Sequence, residues 1–318
     1  MALQISAESD YLQRLAHLQS ALPQHADKPN ESAPATLHAL WHLASGKALS
    51  VVSAQQLALP ALDPAGLARL DALTAQRLAG VPLAHLSERQ HFMDLEMLAG
   101  PQALIPRLET EQLGRAALAL LQTGQTMQSP QKPTVLDLCC GSGNLALALA
   151  HHAPHAQVWG GDVCADAIAL AKRNALHLGL GERVAFRQGD LFQPFDEPRF
   201  IGQIDLLVCN PPYISSAKID TLPSEIQAHE PRAAFDGGPL GVNLVRRVLR
   251  EAAKFLRSGG WLAMEVGHGQ GHSVVQYLRA ITQTNSASSP STPSFEEPIA
   301  ATNAGGDIRV VMARLAAH

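Results

Sequence analysis

An Asn-Pro-Pro-Tyr tetrapeptide is the part of this chain best suited to chemistry on a planar nitrogen. It occupies residues 210–213, directly after the apolar run 204–209, which is typical of a buried strand. The two prolines restrict φ and bias the residue before each of them toward extended geometry, so the loop should be stiff. Such a loop can hold the Asn210 side-chain oxygen and the Pro211 carbonyl as two acceptors for one NH2 group. These bonds would orient the nitrogen toward an electrophilic methyl group and favour its developing positive charge.

The remaining residues of the tetrapeptide fit a pocket for a flat amide or ring. Tyr213 can stack on such a group. An amide nitrogen is a poor nucleophile and the loop contains no general base, so positioning and desolvation should carry catalysis. The alternative is an ordinary Pro-Pro turn after a buried strand. We predict Asn210, Pro211 and Tyr213 as catalytic residues, and Asn210, Pro211, Pro212 and Tyr213 as substrate-binding residues.

A glycine-rich turn at residues 137–143 is the candidate cofactor site. It follows the apolar run 134–138 and opens a helix, and its glycines let a ligand approach the helix N-terminus. Cys139 stands where a dinucleotide-binding turn has its first glycine, which argues against a pyrophosphate ligand. A plain strand-to-helix turn is the alternative.

Acidic residues end the next two predicted strands. Asp162 could accept hydrogen bonds from both ribose hydroxyls of an adenosine-containing cofactor, and Asp190 could meet the adenine amino group. Each could instead cap a helix. Because three successive strands end in a carboxylate at one edge of a sheet, we favour the cofactor site. The predicted cofactor-binding residues are Asp137, Cys139, Cys140, Gly141, Ser142, Gly143, Asp162, Asp190, Leu191 and Asn210.

The elements that must position these residues alternate between strand and helix from Thr134 onward. Strands are predicted at 134–138, 157–162, 184–188, 204–209 and 261–266, and helices at 144–152, 165–178 and about 240–256. This alternation predicts a parallel sheet covered on both faces. Two closing strands are expected at 295–301 and 308–315, and the low-complexity segment 283–294 before them should be a mobile loop.

The first 95 residues read as helical instead. Leucines recur at helical spacing near residues 12–22, 37–43 and 67–78, and a polar, turn-rich loop is expected at 23–34. A hairpin or extended connector at 92–106 should lead into a helix that begins near Glu109.

The composition suits an enzyme more than a nucleic-acid binder. The chain has 318 residues, of which 46% are apolar and 16% charged, and its net charge is −4. Nucleic-acid binding normally requires a basic excess. We expect no membrane span and no secretory signal. We also expect no metal site, since the cysteines and histidines lack ligand spacing. The four cysteines lack a disulfide-scaffold pattern, which favours the cytoplasm.

Beyond these two sites, several segments resemble the class I methyltransferases, and among them the bacterial protein-glutamine N5-methyltransferases. The resemblance runs from about residue 75 to the C-terminus. Residues 222–225 and the Asp-Leu-Cys turn lean toward the branch that modifies a ribosomal protein rather than a release factor. The other matching segments are 77–83, 104–111, 229–231, 236–238, 241–246 and 305–309.

The resemblance implies a Rossmann-like α/β fold with a mostly parallel seven-stranded sheet, a C-terminal antiparallel hairpin and a small helical N-terminal domain. The implied domains are 1–90 for substrate docking, 91–115 for a hairpin and linker, and 116–318 for the cofactor and the reaction. S-adenosylmethionine is the implied cofactor, with S-adenosylhomocysteine as its product. The implied acceptor is a glutamine of a ribosomal protein or release factor.

Two other acceptors remain open. Substrate recognition lies largely in the first 75 residues and in segment 283–294, where the chain departs from the family; His85 and the pair Met93-Asp94 are further departures. A family relative that methylates a small molecule is therefore one alternative. Methyltransferases acting on the exocyclic amine of adenine share the Asn-Pro-Pro-Tyr loop but must grip phosphates, which makes a nucleic acid the less favoured partner.

Overall fold

Helices dominate the N-terminal part of the computed structural model, which describes residues 2–23, 27–122, 132–288 and 294–317. Ser32 and Asp63 cap two of these helices, since their side chains accept hydrogen bonds from Ala35 N and Gly66 N. Most of the leucines predicted at helical spacing pack together, with Leu18, Leu37 and Leu40 fully buried, whereas Leu12 is exposed. The helices are α1 (Ala2–Ala21), α2 (Ala33–Ala44), α3 (Val51–Gln55), α4 (Pro64–Leu78) and α5 (Leu83–Ser87).

A short hairpin and a connector follow α5. Strands β1 (Arg89–Phe92) and β2 (Leu95–Leu98) pair antiparallel, and helix α6 begins at Thr110 and ends at Gln122. The hairpin starts earlier than the predicted 92–106 and ends at Leu98. Met93 and Asp94 form its turn, both with positive φ, which matches the strong twist of a two-residue hairpin.

In the described residues, the main sheet has seven strands in the order β5-β4-β3-β6-β7-β9-β8. The first five strands in this order run parallel to one another. β9 runs antiparallel to both of its neighbours, β7 and β8, so the predicted mostly parallel sheet with a C-terminal antiparallel hairpin is confirmed. The strands are β3 (Thr134–Leu138), β4 (Gln157–Asp162), β5 (Val184–Gln188), β6 (Ile204–Cys209), β7 (Leu256–Glu265), β8 (Ile299–Thr302) and β9 (Ile308–Arg314).

The two faces of the sheet carry separate apolar cores. Val135 belongs to one core and its neighbour Leu136 to the other, as the alternation of side chains along a strand requires. Coverage of both faces is therefore confirmed. The covering helices are α6, α7 (Asn144–His152), α8 (Ala165–His177), α11 (Asn243–Phe255) and α12 (Gly271–Ser288), and two short helices, α9 (Ser216–Ile219) and α10 (Ser224–His229), follow β6.

Strand order reverses between β3 and β6, and this switch point positions the site. The chain moves from β3 outward through β4 and β5, then returns to place β6 on the other side of β3. The loops after two such strands diverge and leave a crevice at their carboxyl ends, where ligands of open α/β sheets bind. The glycine turn follows β3 and the Asn-Pro-Pro-Tyr loop follows β6, so both border this crevice.

The C-terminal region corrects one prediction. Segment 283–294 was expected to be a mobile loop, but α12 continues through its first part to Ser288; residues 289–293 lie outside the described part of the chain. The apolar face of α12, with Val274 and Leu278 in the core, extends the helix beyond what local composition indicates. Across the described ranges, no helix combines the length and apolar character needed to cross a membrane.

Candidate active site

A cavity of about 1040 Å³, including the space at its mouth, lies at the switch point. Its walls come from the glycine turn, the ends of β4 and β5, the start of the Asn-Pro-Pro-Tyr loop, the connector between β2 and α6 (residues 99–109), and the residues Pro231, Ala233 and Ala234. The predicted site residues that line it are Cys139, Cys140, Gly141, Asp162, Asp190, Leu191, Asn210 and Pro212.

The glycine turn adopts a conformation that suits a bound ligand. Cys139, Gly141 and Gly143 all have positive φ, which is unfavourable for a residue with a side chain such as Cys139. A Cβ atom at Gly141 would meet nothing within 4 Å, whereas one at Gly143 would lie 2.8 Å from the Phe186 ring. Gly143 is therefore required for packing, and Gly141 leaves open space on the cavity side.

Asp162 shapes this turn from the end of β4. Its Oδ2 accepts a hydrogen bond from Gly141 N at 2.9 Å, and its Oδ1 accepts one from Cys164 N at 2.9 Å. Burial, opposed by these backbone donors, raises the pKa of the carboxyl group. The bond to Cys164 resembles the alternative predicted for this residue, a helix cap. Each oxygen retains a lone pair, so the same carboxylate can also accept ligand hydroxyls.

Asp162→Ala should weaken S-adenosylhomocysteine binding roughly tenfold or more, because it removes the predicted charge-assisted hydrogen bond to the ligand and the hydrogen bond from Gly141 N that shapes the turn. Titration calorimetry measures this effect. Asp166→Ala is the matched control, since Asp166 is an exposed carboxylate in the first turn of the adjacent α8. Equal affinity in the two variants would remove Asp162 from the cofactor site.

Five predicted site residues do not line the cavity: Asp137, Ser142, Gly143, Pro211 and Tyr213. Asp137 is fully buried beneath the turn, where its Oδ2 accepts a hydrogen bond from Ala146 N at 3.1 Å. Burial raises its pKa well above the ordinary value, with Asp162 adding to the effect. The Ser142 carbonyl accepts a bond from Asn174 Nδ2 at 3.1 Å. Asp137 and Ser142 therefore bind the turn to the two helices behind it, Asp137 through Ala146 of α7 and Ser142 through Asn174 of α8.

Asp190 lies at the rim of the cavity and is already paired. Its two oxygens accept hydrogen bonds from Arg247 Nη1 and Nη2 at 3.1 and 2.9 Å. The predicted contact with an adenine amino group would have to share this carboxylate with Arg247.

The Asn-Pro-Pro-Tyr loop is held tightly by its surroundings. Gln270 Nε2 donates to the Tyr213 carbonyl at 2.9 Å. A Cβ atom at Gly237 would lie 2.7 Å from the Pro212 carbonyl oxygen, and one at Gly241 would lie 2.3 Å from the Tyr213 carbonyl oxygen. Side chains at these two glycines would displace the loop, which gives residues 236–241 a physical role.

Asn210 and Tyr213 each bind a residue outside the loop. Asn210 Nδ2 donates to Thr110 Oγ1 at 3.2 Å, and the Tyr213 hydroxyl donates to Glu265 Oε1 at 3.1 Å. Arg309 Nη2 lies 3.4 Å from the same hydroxyl. Burial, and then the neighbouring Glu265, raise the pKa of Tyr213, so this residue is a neutral phenol.

Buried ion pairs join the N-terminal helices to α10, which follows the loop. Glu225 binds Lys28 and lies 2.7 Å from Arg77 Nη1, and Arg77 Nη2 lies 3.1 Å from Glu31. Although burial opposes it, Lys28 and Arg77 together hold the pKa of Glu225 below its ordinary value. The Arg77 side chain is only 1% exposed, so solvent screens these contacts little.

A second acidic residue, Glu230, binds the connector between β2 and α6 (residues 99–109). Glu230 accepts hydrogen bonds from Ile105 N at 2.9 Å and from Arg107 Nη2 at 2.5 Å. Pro231, Ala233 and Ala234, directly after it, line the cavity. The connector and this wall are therefore held together.

Sequence reasoning missed Thr110, Glu265, Arg309 and Glu230 as parts of the site. Three of them lie in segments 104–111, 229–231 and 305–309, which were recognised as similar to a family but received no role. Glu265 had only one signal, its position at the carboxyl end of a predicted strand.

Comparisons with known proteins cover most of the sheet. A family model described as a methyltransferase domain matches residues 131–295. A release factor glutamine methyltransferase of Moorella thermoacetica is 40% identical over 220 residues, covering 69% of this chain and 74% of the relative. One of Geobacter sulfurreducens is 41% identical over 214 residues, covering 67% and 70%. One of Gloeobacter violaceus is 39% identical over 211 residues, covering 66% and 70%.

Proposed function

Because this chain belongs to the release factor glutamine methyltransferase family, we propose that it methylates the side-chain amide nitrogen of a glutamine in a release factor. It is an S-adenosylmethionine-dependent methyltransferase. The proposal is carried by one observation: Asn210 and the glycine turn border a single cavity at the switch point of the sheet. The names of the relatives favour a release factor over a ribosomal protein as the acceptor.

The residues of the cavity fit S-adenosylmethionine. The open space at Gly141 admits a ligand against the backbone, and the half-buried Asp162 carboxylate suits ribose hydroxyls. The proposed cofactor contacts are Cys139, Cys140, Gly141, Asp162, Asp190, Leu191 and Asn210, with Asp137, Ser142 and Gly143 supporting them from below. When bound, the cofactor supplies an electrophilic methyl group.

In this proposal the Asn-Pro-Pro-Tyr loop positions the side-chain amide of the substrate glutamine. Asn210 Oδ1 and the Pro211 carbonyl accept hydrogen bonds from the two N–H groups of the glutamine amide. These bonds direct its nitrogen toward the methyl group. The same acceptors favour the positive charge that grows on the nitrogen during transfer. Pro212 lines the cavity and helps to exclude water, which strengthens these electrostatic contacts, whereas Tyr213 does not line it and holds the loop through its hydrogen bond to Glu265.

The N-terminal helices dock the protein substrate in this proposal. The buried pairs of Glu225 with Lys28 and Arg77 hold these helices against the segment that follows the catalytic loop, so a docked protein can present its glutamine there. The corresponding units are 1–90 for docking, 91–115 for the hairpin and linker, and 116–318 for cofactor binding. The proposed location is the cytoplasm, where release factors act on translation.

Labelled S-adenosylmethionine distinguishes the acceptors. The protein is incubated in parallel with purified release factor, ribosomal proteins, nucleic acid and a small-molecule extract of the cell. The proposal predicts label in the release factor, and a release factor with its acceptor glutamine changed to alanine is the control. Label confined to another pool would contradict the proposal and identify the acceptor class instead.

A further inference from the structure

Three distant segments converge behind the catalytic loop. Thr110 begins α6, Glu265 ends β7 and Arg309 lies in β9, and all three are buried, with exposed fractions of 2%, 3% and 8%. Thr110 contacts Asn210, and the other two contact Tyr213. A buried charged residue is costly unless it is paired, and Arg309 is paired with Glu109 at 2.8 Å. These residues therefore form a polar support for the loop.

The Thr110 hydroxyl connects the two halves of this support. Burial raises the pKa of the Glu265 carboxyl group, and the neighbouring Thr110 hydroxyl opposes that effect. Glu265 Oε2 is buried and makes no hydrogen bond within the described residues, so this acceptor is open to the proton of the Thr110 hydroxyl. Since a hydroxyl has one proton, a Thr110 that donates to Glu265 can only accept from Asn210.

This polarity determines how the Asn210 amide is oriented. The NH2 end of Asn210 must face Thr110 Oγ1, as it does at 3.2 Å, so Oδ1 occupies the other branch of the side chain. Asn210 lines the cavity. The reversed amide would present two acceptors to each other at Thr110 and an N–H group to the substrate nitrogen, which cannot bind an NH2 group productively.

We propose that Thr110 and Glu265 are positioning residues that orient the Asn210 amide, with Oδ1 available to the substrate, and that Glu265 and Arg309 fix Tyr213. The proposal rests on the proposed function for the identity of the substrate. The orientation itself follows from the contacts among Asn210, Thr110 and Glu265.

The charge of Glu265 supports this role. The groups facing it are Glu109 and Thr110 from the α6 region, Tyr213 from the loop, and Arg309 from β9 at 4.0 Å. Burial raises the pKa of Glu265 to about 7. Above this pH the carboxylate accepts from Thr110 and Tyr213. Below it the carboxyl group becomes a donor that competes for Thr110 Oγ1, so kcat should fall as the pH falls through about 7.

Thr110→Val removes the hydroxyl and keeps the shape of the side chain, while Thr110→Ser keeps the hydroxyl. We expect Thr110→Val to lower kcat roughly tenfold, as for one lost hydrogen bond, with the KM for protein substrate changed about twofold at most. Thr110→Ser should retain kcat within about threefold. Equal losses in the two variants, or full kcat in Thr110→Val, would overturn the proposal.

Glu265→Gln provides the matching pH experiment. The pH profile of kcat should fall on its acid side near pH 7 in the wild-type protein. This acid limb should be absent from Glu265→Gln, because the glutamine cannot titrate. An unchanged acid limb in Glu265→Gln would assign that limb to another group and contradict the role of Glu265.

A measurement without turnover separates this proposal from the proposed function. Hydrogen exchange of the Asn210 side-chain NH2, followed by NMR of 15N-asparagine-labelled protein with S-adenosylhomocysteine bound, reports the bond to Thr110. Exchange should accelerate in Thr110→Val and stay near the wild-type rate in Thr110→Ser. Identical exchange in all three proteins would contradict the orientation by Thr110. A wild-type protein that fails to label release factor would instead contradict only the proposed function.

Discussion

Asn210→Ala should lower turnover of the protein substrate by about a hundredfold to a thousandfold, the loss typical of removing one preorganised polar group at a reacting centre. The variant removes the side-chain acceptor for the amide nitrogen and leaves the glycine turn and Asp162 intact. Asn210 is only one of the proposed cofactor contacts and the others remain, so binding of S-adenosylhomocysteine should change by about threefold at most. Single-turnover kinetics and calorimetry on the same protein measure the two quantities.

Two further variants are compared with Asn210→Ala, one to test the position of the amide and one as a control. Asn210→Gln retains the amide but moves it by one methylene, and it should also turn over slowly, because position matters more than chemical type. Asn243→Ala is the control, since Asn243 is an exposed asparagine at the start of α11. Normal turnover in Asn210→Ala would show that the Asn-Pro-Pro-Tyr loop does not orient the acceptor through this side chain.

Arg77→Met should lower the free energy of unfolding by about 3–5 kcal/mol, because it breaks a buried ion pair and leaves uncompensated charge. Arg77 binds both Glu225 and Glu31, and its side chain is only 1% exposed. Burial already raises the pKa of Glu31, and the loss of Arg77 removes one of the cations that oppose this effect. Urea unfolding followed by circular dichroism measures the change.

Arg14→Met is the matched control for this prediction. Arg14 pairs with Asp71, whose side chain is 63% exposed, so the variant should cost about 1 kcal/mol or less. A similar cost for both variants would mean that the Arg77 pairs stabilise no more than a surface contact. The network would then provide little attachment between the N-terminal helices and α10.

The parts of the molecule that the sequence predicts well depend on local signals. The short apolar runs at residues 134–138 and 204–209 identify buried strands, and the glycines and prolines after them identify turns. Since consecutive parallel strands share one carboxyl edge, the approach of Gly141, Asp162 and Asn210 to one cavity could be expected without coordinates.

The contacts that support the catalytic loop depend on tertiary structure instead. Thr110 and Asn210 are separated by 100 positions, and Tyr213 and Glu265 by 52. No periodicity links such pairs, so similarity to a family could mark their segments without showing what they contact. The predicted loop at 283–294 fails for a related reason, because the core contacts of α12 extend a helix that local composition disfavours.

Mass spectrometry of the release factor after incubation with S-adenosylmethionine tests the central claim most directly. Fragmentation of the modified peptide locates the methyl group, and wild-type protein is compared with Asn210→Ala. The proposal predicts one methyl group on the side-chain amide nitrogen of a glutamine with the wild-type protein and almost none with the variant. A methyl group on another residue, or equal methylation by the two proteins, would contradict it.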